Sequence, residues 1–120
     1  MAVHPDAQVH GSAVVEPGAE LAAGVVVGPF AVIGAEVRIA QNTEIKSHAV
    51  ITGRTSIGPD CVIFPFAVIG EIPQDLKFRG EQTRLEIGAR NRIREHVTVN
   101  TGTEGGGGLT RIGDDCLIMA

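Results

Sequence analysis

The chain of 120 residues has no tryptophan, no tyrosine and four phenylalanines. Leucine is also scarce, so large side chains cannot fill a thick core. Valine, isoleucine, alanine and glycine dominate instead, and β-branched residues of this kind suit strands around a thin core. Excess positive charge is missing too. The net charge of −4 argues against the basic face that nucleic-acid binding requires. Lys77, Arg79, Arg84, Arg90, Arg92 and Arg94 crowd one segment, the only local charge suited to an anionic partner. The two cysteines, Cys61 and Cys116, sit in no CxxC or Cys/His spacing, so neither a metal site nor a disulfide framework is expected. No apolar run approaches a membrane span, and the first residues carry no signal-peptide core. The expected setting is soluble and cytoplasmic, without membrane insertion.

What is present is a rhythm. Counting in sixes from Val3 gives Val9, Val15, Leu21, Val27, Ile33, Ile39, Ile45, Ile51, Ile57, Ile63 and Ile69, without a miss. Four residues after these slots stand small or β-branched residues, such as Ala19, Val25, Ala31, Thr43, Ala49, Cys61 and Ala67. A helix repeats near 3.6 residues and cannot hold a period of six on one face. An unbroken strand does not run so far. A short strand and a corner, repeated, fits, and this is the hexapeptide signature of a parallel β-helix. Three sides close a triangular coil of 18 residues, so residues 18 apart stack, for example Ile33, Ile51 and Ile69. The handedness of the coil does not follow from the spacing.

The rhythm stops twice. After Ile69 the slots at 75 and 81 hold Asp75 and Glu81, and aliphatics return at Ile87, Ile93 and Val99. Either a loop replaces two sides of one coil, or about twelve residues project and the next side follows; the spacing is compatible with both. The second break is TGTEGGGGLTR, after which Ile112 and Ile118 resume the count. Its glycines lack the GK[ST] of a phosphate-binding loop and read as a flexible excursion. Ejected segments on a regular wall are where chemistry is grafted.

GPFAVIG, KSHAVI, IGEIPQDLKFRGEQTRLEIGARNRIREHVTVNTGT and GGGLTRIGDDCLIM together resemble the UDP-N-acetylglucosamine O-acyltransferases that begin lipid A synthesis in Gram-negative bacteria. The resemblance implies an all-β, left-handed parallel β-helix that assembles as a homotrimer. It implies transfer of a 3-hydroxyacyl group from acyl carrier protein to the 3-hydroxyl of UDP-N-acetylglucosamine, with no metal and no cofactor. In such a site a histidine acts as general base and backbone N–H groups can hold the oxyanion. Residues 1–120 would then be one β-helical domain with loops at about 71–84 and 100–110, ending before the family's remaining coils and helical C-terminal part.

The QDLK match gives three substrate-binding candidates. Asp75 would accept from a sugar hydroxyl or amide, Lys77 would donate to a phosphate or a carrier-protein acid, and Gln74 would offer amide donors. Phe78 in the same loop is a candidate contact for an acyl chain. The family's catalytic histidine lies in an AHxAHDC-like stretch, which would fall beyond Ala120, so no catalytic residue is assigned and the chain alone is expected to be inactive. His48 and His96 share one phase of the repeat and are expected on the outer wall; they, His4 and His10 are weak substitutes for the missing base. Cys61 and Cys116 occupy the small inward register and read as buried thiols. Phe30, Phe64 and Phe66 fall near corners, where core or subunit packing is expected. The rival readings are a sibling nucleotide-sugar transferase, such as the N-acyltransferase of the same pathway, and a non-catalytic β-helical module.

Overall fold

A computed structural model describes residues 3–72, 83–102 and 108–120. Its strands run β1 (Gln8–Val9), β2 (Val14–Val15), β3 (Glu20–Leu21), β4 (Val26–Val27), β5 (Val32–Ile33) and β6 (Arg38–Ile39). They continue with β7 (Glu44–Ile45), β8 (Val50–Ile51), β9 (Arg54–Ile57), β10 (Val62–Ile63) and β11 (Val68–Glu71). The last are β12 (Arg84–Ile87), β13 (Arg92–Ile93), β14 (Thr98–Asn100), β15 (Leu109–Ile112) and β16 (Leu117–Ile118). Every third strand falls in the same sheet. Sheet A is β3-β6-β9-β12-β15, sheet B is β1-β4-β7-β10-β13-β16 and sheet C is β2-β5-β8-β11-β14. All pairings are parallel, and the chain is a left-handed parallel β-helix.

Two-residue strands hold because each coil supplies partners to the next. The N–H groups of Gln8 and His10 donate to the carbonyls of Val25 and Val27, and the same step repeats up the prism. Register pairs Ile33 with Ile51 and Ile51 with Ile69, so identical slots lie one above another. The resulting core is three stacked columns, Leu21, Ile39 and Ile57 from sheet A, Val27, Ile45 and Ile63 from sheet B and Ile33, Ile51 and Ile69 from sheet C, packed with Ala19, Ala31, Ala49, Ala67 and Cys61. Each fully buried aliphatic contributes roughly 1.5–3 kcal/mol, against the entropy of ordering its coil. The inward slots of the first coil are less covered: Val9 is 38% exposed and Val15 is half-buried. Among the described residues they have a neighbouring rung on one side only.

The three faces differ in chemistry. Sheet A turns Glu20, Arg38, Ser56, Glu86 and Arg111 outward, and these charges pair between rungs: Glu20 with Arg38 at 3.2 Å and Glu86 with Arg111 at 2.9 Å. Sheet B is mixed, with Gln8, Val26, Glu44, Val62, Arg92 and Leu117. Sheet C presents Val14, Val32, Val50 and Val68, followed by Thr98.

The corners differ as well. Between sheets A and B the turn residue with positive φ is Gly24, Asn42, Asp60, Arg90 or Asp115. Glycine, asparagine and aspartate adopt this region readily. Two inward polar side chains tie this corner across coils. The Thr43 hydroxyl donates to the Gly58 carbonyl at 2.8 Å, and Asn91 Nδ2 donates to the Gly113 carbonyl at 2.6 Å while its Oδ1 accepts from the Cys116 N–H at 2.7 Å. Outside, Arg90 clamps Asp115 at 2.7 Å, and this hydrogen bond holds the Asp115 carboxyl below its usual range.

Between sheets B and C the positive-φ residues are Phe30, His48, Phe66 and His96, at 59°, 63°, 67° and 63°. Histidine tolerates this region; a bulky phenylalanine there is an outlier. The four rings stack into one ladder, with centroids 5.2, 5.1 and 5.6 Å apart. Beside it Phe64 lies between the Lys46 ammonium at 5.1 Å and the Arg94 guanidinium at 4.3 Å. Phe30 and Phe66 are 60% and 51% exposed, so these rings are corner residues and not core. His48 and His96 stand on the outer wall, where the repeat phase puts them.

Two measurements follow. A Cβ on Gly58 would lie 2.6 Å from the Gly88 carbonyl carbon and oxygen, whereas one on Gly11 meets nothing within 4 Å. Gly58→Ala should therefore cost about 1–3 kcal/mol in urea unfolding, while Gly11→Ala stays within about 0.5 kcal/mol. Because Asp115 is held low, the Arg90 pair stabilises the fold above the ordinary aspartate pKa of about 3.9 and is lost as pH falls through the lower folded value. Arg90→Ala should raise the Asp115 titration midpoint seen by NMR back toward that ordinary value.

Candidate functional site

The breaks in the rhythm resolve into one place. β11 lies in sheet C and β12 in sheet A, directly above β9, so the side after Ile69 is the next side and the intervening residues are an insertion. The same holds one coil later, where β14 of sheet C is followed by β15 of sheet A. Both excursions leave and return at the corner between sheets C and A, stacked on successive coils. Wall strands reach further into them than expected: Glu71 pairs with Asn100 and Arg84 with Leu109. Asp75, Lys77, Gln74 and Phe78 lie outside the described residues, so their placement rests on the sequence.

The base of the excursions is built with care. Gly70 has φ of 87°, and the ladder shifts register between Ile69 and Glu71. A Cβ there would collide with the Thr52 carbonyl and the Thr55 hydroxyl, so only glycine permits the exit. Thr55 is itself fixed, its hydroxyl donating to the Thr52 carbonyl at 2.7 Å. Thr83, where the first excursion returns, donates its hydroxyl to that of Thr101, where the second departs, at 2.8 Å. Both are buried, and the Thr101 N–H donates to the Glu71 carbonyl at 3.0 Å. One buried hydroxyl pair thus joins the feet of both segments.

Beside these feet, on the outside of sheet A, lies a groove of about 420 Å³ lined by polar residues including Glu36, Arg38, Arg54, Arg84 and Glu86. Arg54 and Arg84 face each other across adjacent rungs, and Arg54 lies 3.8 Å from Glu36. Hydrogen-bonding charge at a groove mouth suits a polar ligand better than an acyl chain. Among the described residues the arginines of the basic segment do not gather here. Arg84 is on sheet A, Arg90 on the A–B corner, Arg92 on sheet B and Arg94 on the B–C corner, so the run winds round the prism.

The remaining candidates lie elsewhere. His48 and His96 are in the ring ladder on the B–C corner. The His10 ring and the Ser12 hydroxyl are hydrogen-bonded at 2.8 Å, and His4 Nδ1 accepts from the Asp6 N–H at 3.0 Å. Among the described residues no histidine lines the groove at the excursions. Cys61 is buried, and burial pushes its thiol pKa up, as expected of an inert thiol. Cys116 is only half-buried, a departure from expectation: its coil has a stacked neighbour on one side alone among the described residues. No group of three or more metal-ligating side chains is present among the described residues. The sequence reading missed the Thr83–Thr101 pair; their spacing of 18 residues, one coil, was the available signal.

The hydroxyl pair can be tested directly. In a cycle of Thr83→Val, Thr101→Val and the double variant, urea unfolding should give a coupling energy of about 1 kcal/mol. Purely additive losses would place the two excursions' feet in independent units.

No protein-family profile matches the chain. An acyl-[acyl-carrier-protein]–UDP-N-acetylglucosamine O-acyltransferase from Rickettsia canadensis is 48% identical over 114 residues, 95% of this chain and 43% of the relative. The solved UDP-N-acetylglucosamine acyltransferase of Bacteroides fragilis aligns with TM-score 0.80 at 43% identity, over 97% of this chain and 43% of its own. That of Acinetobacter baumannii gives TM-score 0.77 at 42% identity, over 98% and 43%. The chain therefore spans under half the length of the relatives it matches. Over that span, coil for coil, it belongs to the UDP-N-acetylglucosamine O-acyltransferase family.

Proposed function

We propose that the chain is part of an acyltransferase that moves a 3-hydroxyacyl group from acyl carrier protein to the 3-hydroxyl of UDP-N-acetylglucosamine, acting as a homotrimer in the cytoplasm. The observation that carries the reading is the opening of two successive coils at one corner, on the residues that carry the family's motifs. A regular wall has no structural need for either excursion; a substrate site does.

In this reading the excursions supply binding and orientation. Lys77 donates to a phosphate oxygen or to an acidic side chain of the donor protein, Asp75 accepts from a sugar hydroxyl or the acetamido N–H, and Gln74 adds amide donors. The reaction itself needs a base for the 3-hydroxyl proton as that oxygen attacks the acyl carbonyl, and donors for the oxyanion that forms. None of the four histidines is proposed for the proton. His48 and His96 stand on the corner between sheets B and C, and the His4 and His10 rings are hydrogen-bonded to Asp6 and Ser12 near the start of the prism. The base is proposed to belong to residues beyond Ala120, and this chain alone to be inactive.

The test compares this chain with a longer form carrying the coils that follow in relatives. Transfer of labelled 3-hydroxyacyl groups to UDP-N-acetylglucosamine should be seen only in the longer form. There, Lys77→Ala should lower kcat/KM by about 10–100-fold, the loss of one charge-assisted hydrogen bond. Turnover by this chain alone, abolished by His48→Ala or His96→Ala, would reverse the assignment.

A further inference from the structure

We propose that Arg54 and Arg84, on the outer face of sheet A, form a binding site for a phosphate group carried by a small molecule. The site goes beyond the binding groups proposed on the excursions and does not depend on them.

The charges of this face are unevenly matched. One outward column of sheet A runs Glu20, Arg38, Ser56, Glu86 and Arg111. Each of its arginines has a carboxylate on an adjacent rung: Arg38 meets Glu20 at 3.2 Å and Arg111 meets Glu86 at 2.9 Å. The column beside it is built differently. Glu36 lies 3.8 Å from Arg54, but the next rung brings Arg84 where a carboxylate would continue the pairing, and the rung after that brings Leu109. Among the described residues Arg84 makes no ion pair. Like charges set opposite each other on neighbouring strands, about 4.8 Å apart, are destabilising. The wall matches its charges elsewhere and leaves this pair of guanidinium groups in register at the groove. An anion held by both removes the repulsion.

The geometry selects the class of anion. Arg54 and Arg84 line a groove of about 420 Å³, within the range of small-molecule sites, on the order of 300–1,000 Å³. Each guanidinium presents its N–H donors as a planar fork, which matches two oxygens of an anion. A carboxylate has only two oxygens and fills one fork. A tetrahedral phosphate offers an edge to each of two forks. The Ser56 hydroxyl, outward on the same strand as Arg54 and also lining the groove, adds a donor. Gly18 and Ala35 line the groove as well, and their short side chains leave room for the rest of a phosphorylated molecule.

Titration of the whole chain with inorganic phosphate at constant ionic strength, followed by NMR at the arginine Nε–H signals, tests the proposal. The Arg54 and Arg84 signals should shift together and saturate, while that of Arg92, exposed on sheet B, stays in place. Arg84→Gln should weaken phosphate binding by about tenfold or more, the loss of charge-assisted hydrogen bonds, and Arg92→Gln should leave it unchanged. Glu36→Gln removes the carboxylate that competes for Arg54 and should tighten binding by about threefold, a gain that misfolding does not produce. Adding UDP-N-acetylglucosamine then separates two sources of the phosphate. Its displacement of phosphate from Arg84 assigns the site to the diphosphate of that sugar nucleotide, and retention of phosphate assigns it to a different phosphorylated molecule; both results support the site. The absence of a saturable shift, equal shifts at Arg54, Arg84 and Arg92, or wild-type phosphate binding by Arg84→Gln would overturn it and leave ordinary screening of surface charge.

Discussion

Each coil of this molecule is held by the coil next to it. A strand of two residues cannot satisfy its own backbone, and a side of six residues cannot bury its own isoleucine. Stacking at 18-residue intervals solves both problems at once: N–H groups reach the carbonyls of the neighbouring rung, and Ile33, Ile51 and Ile69 cover one another. The core is therefore thin, filled by three stacks of aliphatic side chains, and the chain dispenses with tryptophan and tyrosine. It also explains why the coils with a stacked neighbour on one side alone among the described residues, around Val9 and Cys116, are the less buried ones. Stability in such a solenoid is a sum of rungs and their interfaces.

A wall built on that rule tolerates insertions only at corners, where the chain is already turning. Both excursions use the C–A corner, and each needs a local device to leave without tearing the ladder. Gly70 permits the first exit by its missing side chain, and the Thr83–Thr101 hydroxyl pair closes the gap behind both. The charged groove of sheet A lies beside that corner. The repeat is thus interrupted at one corner, while the coils on either side of the breaks keep their ladder.

The three faces have divided their tasks. Sheet A pairs its charges between rungs, and such pairs are worth little individually in water but keep the face soluble. Sheet C is apolar on both sides, and the ladder at its edge is formed by rings in positions where glycine or asparagine would be easier. The rings of the B–C corner stand outward, and both excursions open at the C–A corner.

The sequence by itself determined the coil. Twelve consecutive slots at a period of six admit no helix, and the stacking of Leu21, Ile39 and Ile57, or of Ile33, Ile51 and Ile69, follows from counting. It also placed His48 and His96 on the outer wall and Cys61 in the core, because a strand's alternation is local. Whether the first break replaced two sides or added residues was undecidable from spacing, since both arithmetic solutions end at Ile87; only the pairing of β12 with β9 chose between them. Nor could counting bring Thr83 to Thr101, spread Arg84, Arg90, Arg92 and Arg94 round a prism, or stack Phe30 on His48 and Phe66. Those contacts join residues 18 or more apart, and they exist only once the coils are closed and laid on one another.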